Sequence, residues 1–453
     1  MLKEYRRCAM ENLFALLENK DYKGLRAHLS TLHAPDIADA MEQTQEKESL
    51  LIFRLLPKDL AVEVFSHMEP FYQAEFSELI REEELRDLVD ELYFDDKIDY
   101  LEEIPATLVK KILRNTPENE RKLINQFLNY PDYSAGSIMT IEFVDLKKSM
   151  TVADAIKRIR RIGTDKETIY TCYVIDNERT LEGLISLKEL ILTSEDTTIE
   201  EIMNADFISV TTHTDQEDVA EKFLKYDLLA MPVVDSENRL VGIITVDDVL
   251  DVMEEEATKD FHMMAGMQVS EETYMESSVI QLFKKRFPWL AVLMISATLT
   301  SAIMESYEAL IAGMAILSAN IPMLMGTSGN AGAQASTLMV RSIAVGDVEF
   351  KDIFRIIWKE FRVSFLIGCS LAVLNYIRMY FIGGYSPTLS LVVSLTLIIT
   401  IALAKLIGST LPMVAKKIGL DPAIMANPMI STILDALVLI TYFKISSAFF
   451  PLG

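Results

Sequence analysis

One acidic residue of this chain stands where water should not reach it. Asp435 lies within ANPMISTILDALVLITY (426–442), a run dominated by apolar side chains. A carboxylate inside a membrane span is costly and by default faces a pore or a partner. Asn427-Pro428, eight residues earlier, offers an amide oxygen for a hydrated cation, or else a plain helix cap. Gly326, Gly329 and Gly332 allow either an irregular turn or close helix packing. Glu308 either gathers cations at an outer mouth or is simply solvated, and Lys405 either snorkels or pairs with a carboxylate. A second acidic group is Asp247, Asp248, Asp251, Glu254, Glu255, Glu256 and Asp260. On one helix Asp248 and Asp251 are i,i+3 neighbours, and like charges at that spacing repel. A divalent cation held between domains would relieve the repulsion.

The elements that carry these residues divide by charge. Up to Pro288 the chain has 33 Lys/Arg against 59 Asp/Glu, and beyond it 10 against 8, so a region at −26 precedes one at +2. The first repels nucleic acid, whose binding needs clustered cations, and attracts metal cations. After Pro288 five apolar stretches, near 288–304, 309–327, 361–381, 388–414 and 429–450, reach the ~20 residues that a helical span needs. Lys284-Lys285-Arg286, the basic residues from Arg341 to Arg362, and Lys416-Lys417 mark the inner side, with the N-terminus inside and the C-terminus outside. The opening MLKEYRRCAMENLFALLENK is charged throughout and is not expected to be a signal peptide, which leaves the acidic region in the cytoplasm. Cys8, Cys172 and Cys369 form no disulfide or zinc pattern, and the five histidines show no ligand spacing. With no nucleophile elbow or P-loop, an enzyme is not expected.

Residues 1–130 carry helical periodicity only, with Pro35, Pro57 and Pro105 placed to open helices of a stacked array. From 131 a β-α-β-β-α order occurs twice: Ile138-Met139, FVDLK, TVADAIKRIRRI, TIYTCYVID, LEGLISL, LKELILT, then Ile202-Met203, FISVT, QEDVAEKFLKYD, AMPVVD, LVGIITV, DDVLDVMEEE. Both copies resemble the CBS module, and two such modules usually pair. In that resemblance Ser186 with Glu189, and Thr245 with Asp248, take positions where a hydroxyl and a carboxylate grip a ribose.

The whole chain is similar to the MgtE family of magnesium channels and transporters. The residues that carry this are Tyr307-Glu308, Ile321-Pro322, Ser328-Gly329-Asn330-Ala331-Gly332-Ala333-Gln334 with Thr337 and Arg341, Asp421-Pro422-Ala423, Asn427-Pro428 and Asp435. The resemblance implies a multidomain chain with an all-α helical-repeat N-domain (1–130), an α+β tandem CBS pair (131–258), a connecting plug helix (259–287) and an α-helical membrane domain of five transmembrane helices (288–453). It implies Mg2+ as substrate and regulator, a homodimer in the cell membrane with the pore on its axis, and an adenine nucleotide such as ATP at the CBS pair. It places Asp435, Asn427, Asn330 and Glu308 at the pore. It assigns Mg2+ sensing to Glu63, Asp95, Asp99, Asp215, Glu217, Asp227, Asp248, Asp251, Glu256 and Asp260, with Lys259 where the family has an acid. Mg2+ dehydrates reluctantly, so a pore carboxylate would contact the ion through its waters. Transport of another divalent ion such as Co2+, or a nucleotide-sensing receptor that transports nothing, are the competing readings.

Overall fold

Prolines set the rhythm of the first 127 residues. Helices α1 (Leu2–Glu18), α2 (Tyr22–Leu29), α3 (Ala34–Glu42), α4 (Glu46–Leu55), α5 (Lys58–Ser66), α6 (Pro70–Leu79), α7 (Glu82–Val89), α8 (Phe94–Glu103), α9 (Ala106–Asn115) and α10 (Glu118–Phe127) follow one another with short turns. Pro35 and Pro70 lie in the first turns of α3 and α6, while Pro57, Pro105 and Pro117 immediately precede α5, α9 and α10. A missing N–H costs nothing there. Helix α3 packs on α5, α4 on α6, α5 on α7 and α6 on α8, the pattern of a stacked helical array. The computed structural model describes residues 2–269, 274, 277–425 and 427–450, with side chains except at 2–8, 115, 313, 425 and 427. They form two compact units, Met1–Met253 and Glu254–Gly453.

The first unit continues as β1 (Val144–Leu146), α11 (Val152–Ile162), β2 (Thr171–Ile175), β3 (Leu181–Ser186) and α12 (Leu187–Leu192). The second copy is α13 (Ile199–Ile202), β4 (Val210–Thr211), α14 (Gln216–Tyr226), β5 (Ala230–Val234), β6 (Leu240–Thr245) and α15 (Val246–Met264). Each sheet has a parallel then an antiparallel pair, β1-β2-β3 and β4-β5-β6. The two modules exchange their leading segments: Thr140 bridges Ile243 on β6, and Asn204 bridges Leu184 on β3. Glycine makes the exchange possible. A Cβ on Gly242 would lie 2.7 Å from the Thr140 oxygen and 2.8 Å from Met139 Sδ; one on Gly183 would lie 3.0 Å from both the Asn204 oxygen and Met203 Sδ. The repeated Ile-Met pairs and the repeated strand glycines are two sides of one contact.

The second unit holds α16 (Val279–Ser306), α17 (Glu308–Gly313), α18 (Ile321–Ala344), α19 (Ile353–Ile377), α20 (Pro387–Lys417) and α21 (Asn427–Phe449). Two expectations need correction. The second span is not 309–327: residues 308–320 form a short α-helix and a 3-10 helix, and the long helix starts at Ile321, with Pro322 in its first turn. The connecting helix over 259–287 is not one element either. Helix α15 runs unbroken past residue 259 to Met264, Gly266 takes φ +69°, and α16 starts afresh where Ser278 and Gln281 cap each other. Among the described residues four segments are long and apolar enough to cross a membrane, Val279–Ser306, Phe350–Ile382, Pro387–Lys417 and Pro428–Phe449. At 24 residues α18 has the length, but its Gly, Ser, Asn and Gln residues lower its hydropathy.

Helix α18 crosses α20 and α21 through glycine. A Cβ on Gly408 would sit 2.4 Å from the Gly332 carbonyl oxygen, and one on Gly332 would meet Leu434 Cδ1 at 2.5 Å. Gly332 therefore serves close packing. Gly326 has nothing within 4 Å and Gly329 only Ser431 Oγ at 3.9 Å. Gly408→Ala should force α18 and α20 apart and cost about 1–3 kcal/mol, the usual range for overpacking. Gly326→Ala should be tolerated. Thermal unfolding of the two purified variants in one detergent checks this, and equal losses would contradict it.

Candidate functional site

The acids of the first unit gather around the start of α8. Asp95 is only 9% exposed, and its Oδ1 has no hydrogen-bond partner among the described residues. Burial, then the neighbouring Asp96, push it up to about 7. Asp96 is raised to about 6 by burial and by Asp248, Glu142 and Asp247. Asp99, one turn on, is pushed well above its ordinary value by the protein around it and by Asp95 and Asp96. Its side chain remains exposed by area, and solvent screens that repulsion. From the first turn of α15, Asp248 is raised to about 7 by burial and by Asp95, although the Thr245 hydroxyl donates to Oδ2 at 2.6 Å. Like charges without counter-ions cannot all ionise cheaply in a shielded place.

Two further acids belong here that sequence reasoning missed. Glu142 precedes β1 and Glu167 precedes β2, and the Glu167 N–H donates to the Glu142 carbonyl at 3.0 Å. Glu167 is raised to about 8 by burial and by Asp95, Asp247, Asp248 and Asp96, and its Oε2 has no partner among the described residues. Lys97 is buried on α8, but it is held by Glu120 at 2.9 Å. Nothing in their spacing marks Glu142 or Glu167. Only the fold brings three distant segments together.

The other expected sensing residues are distributed differently. Glu63 is exposed on α5 and is not among the principal charges acting on this set. Asp215 caps the start of α14, accepting from the Glu217 N–H at 2.9 Å, whereas Asp227 ends that helix in the left-handed region at φ 51°. Eleven residues at 1.5 Å each separate the two ends by roughly 16 Å, so they cannot share an ion within one chain. In the second unit Asp260 is raised to about 6 by burial and then by Asp421 and Glu256, against Lys259 and Arg341. Lys259 Nζ lies 2.9 Å from Glu256 Oε2. Asp251 stands on α15 between these groups. Among the described residues no group of three or more His, Cys, Asp or Glu is arranged to hold a metal ion.

At the expected ribose positions both carboxylates turn back as caps. Glu189 Oε2 accepts from the Ser186 N–H at 2.9 Å and hydroxyl at 2.8 Å. Asp248 does the same for Thr245 and also faces Asp95, so the two cation and nucleotide assignments compete only at this residue.

Helix α21 carries Asp435 half-buried, with Ser431 and Thr432 one turn earlier. Pro428 is the second residue of the helix, so it starts α21 rather than breaking a turn within it, and the Thr432 hydroxyl donates to its carbonyl at 3.0 Å. The Asn427 side chain lies outside the described residues. On α18 Asn330, Gln334, Thr337 and Arg341 are all exposed at helical spacing and form one polar face. Gln334 and Thr337 were legible from their spacing to Asn330. Glu308 is exposed at the start of α17. Lys405 is 6% exposed on α20, so its stem packs inside the unit rather than along lipid.

Comparison with known proteins covers most of the chain. Residues 321–445 match the MgtE family described as divalent cation transporters, 32–133 match the MgtE intracellular N domain, and 135–196 and 199–255 match the CBS domain. The magnesium transporter MgtE of Thermus thermophilus is 35% identical over 434 residues, 95% of this chain and 96% of that protein. The Enterococcus faecalis magnesium transporter MgtE is 38% identical over 72% of this chain and 71% of that protein. The crystal structure of the soluble part of a magnesium transporter aligns with TM-score 0.52 at 33% identity, covering 56% of this chain and 99% of its own. A cytosolic domain of the Mg2+ channel MgtE in complex with ATP aligns with TM-score 0.51 at 37% identity, covering 54% of this chain and 99% of its own. With its helical domain, its paired modules and its apolar helices all accounted for by that likeness, the chain belongs to the MgtE family of magnesium transporters and is a membrane protein.

Proposed function

We propose that the protein is a Mg2+ channel of the cell membrane, working as a homodimer, whose cytoplasmic helical and CBS regions close it when Mg2+ binds among their acids. The observation that carries this reading is the uncompensated set around Asp95: a buried carboxylate with a free oxygen, facing Asp96, Asp248 and Glu167. Near neutral pH and above, where protons no longer neutralise it, such a set holds the helical domain against the CBS pair only when metal cations do so. Without them the domains are pushed apart. Helix α15 continues unbroken from the second CBS module into the unit that holds the membrane helices, and so provides the connection.

Raised carboxylates give this a sign. Their contribution to the docked state is complete below their unfolded values, near 4, and is lost as pH rises through about 6 to 8. Full-length protein without divalent ions should therefore become more protease-sensitive as pH rises from 5 to 8. Millimolar Mg2+ should abolish that trend. In Asp95→Asn the Mg2+ needed for protection at pH 8 should change several-fold; protection independent of both pH and Mg2+ in the native chain would exclude the gate.

The pore reading rests on the polar face of α18. Asn330, Gln334 and Thr337 suit water or a second copy, not lipid. A two-fold dimer would bring two Asp435 carboxylates to the axis, matching the charge of a hydrated divalent ion. Asp435→Ala should remove Mg2+ flux into liposomes while the variant stays dimeric and inserted. Flux at the native rate through such a dimer would reject the pore assignment.

For nucleotide, the first-module pair is favoured because Asp248 already faces the acidic set. Millimolar ATP should raise the Tm of the full chain by mass action, and Ser186→Ala should blunt that rise while Thr245→Ala leaves it. The reverse pattern would move the nucleotide to the second module.

A further inference from the structure

We propose that the first CBS module supplies a ligand of its own to the regulatory cation: Glu167 completes, with Asp95 and Asp248, a site for one hydrated divalent ion that ties the helical domain to both CBS modules. This rests on the gating reading above and adds to it a third protein segment.

The acids near Asp95 differ in whether protein groups already answer their charge. Glu142 is opposed by Lys166 and Lys97 and meets the Phe94 N–H at the start of α8. Asp248 receives the Thr245 hydroxyl at 2.6 Å. Glu167 has no such relief. The four charges that act on it most are all carboxylates, and its Oε2 is shielded from water without a partner. Asp95 is the first of those four, and it is also the first charge acting on Asp248. Asp95 is itself 9% exposed with an unpartnered Oδ1. Two shielded oxygens without donors, on separate domains and facing one set of charges, leave a shortage of positive charge that protein groups do not fill.

The backbone keeps Glu167 there. Its N–H donates to the Glu142 carbonyl at 3.0 Å, so the segment before β2 is fastened to the segment before β1. Glu142 is thus a positioning residue and Glu167 the ligand. The acids do not close to a direct cage among the described residues. A hydrated ion needs no such cage, because a cation that keeps its waters is gripped by carboxylates at longer range.

The test is the Mg2+ concentration at half-maximal protease protection of the full-length protein in detergent. Glu167→Gln should raise that midpoint about tenfold, the size of one lost charge-assisted contact. Glu178→Gln, which removes an exposed acid from the turn after β2, should leave it in place. Asp95→Asn reports on the parent reading. A native midpoint in Glu167→Gln with a shifted one in Asp95→Asn overturns the Glu167 assignment and spares the gate. Native midpoints in both overturn both. Full protection of Glu167→Gln without Mg2+ would make Glu167 a source of repulsion only, and an equal shift in Glu178→Gln would reduce the effect to net charge; either overturns the proposal.

Discussion

Repulsion among shielded carboxylates is the constraint on which the first unit depends. Proteins rarely pack several acids together without lysine or arginine between them, because each added charge raises the cost of the next. Here the buried Lys97 forms its ion pair with Glu120 and acts on the set only through Glu142. The helical array and the CBS pair are each well packed: Phe65 against Tyr100 and Phe94 against Phe127 within the array, Gly183 and Gly242 against Met203 and Met139 within the pair. The strain is thus concentrated where the two meet.

The membrane unit follows another logic. Gly332 and Gly408 let α18 and α20 approach until backbone touches backbone, and let the Leu434 and Ile430 side chains of α21 close on Gly332, which needs no polar group. That contact uses one face of α18. The face left over is the one bearing Asn330, Gln334 and Thr337. Tight packing on one side and polarity on the other are two properties of a single helix, and together they explain why it fails a hydropathy test that its neighbours pass.

The same helix shows what was legible in the sequence. The apolar run through 309–327 drew the second span too early, because hydropathy rewards Leu310, Ile311 and Leu317 and penalises the small and amide residues of α18. The proline-led helices, the doubled β-α-β-β-α order and the lone Asp435 were readable, since each is a local pattern. Glu142 and Glu167 were not. They are two of 67 acids, and only tertiary structure distinguishes them. Pro428 stands at the start of α21, where the helix-cap alternative put it; proline within a helix and proline at its start share a sequence but differ in where the helix begins.

Helix α15 is 19 residues long without an interruption, about 28 Å of continuous hydrogen-bonded rod. A loop would tolerate insertions and deletions; a rod does not. Each residue added to or removed from it would turn the helix positions that follow by about 100° and shift them by about 1.5 Å along the axis. Asp248 and Asp260 lie twelve residues apart on this rod, so their angular relation is set by residue count alone. The length of α15 is therefore a phase, which decides which of its acids share a face.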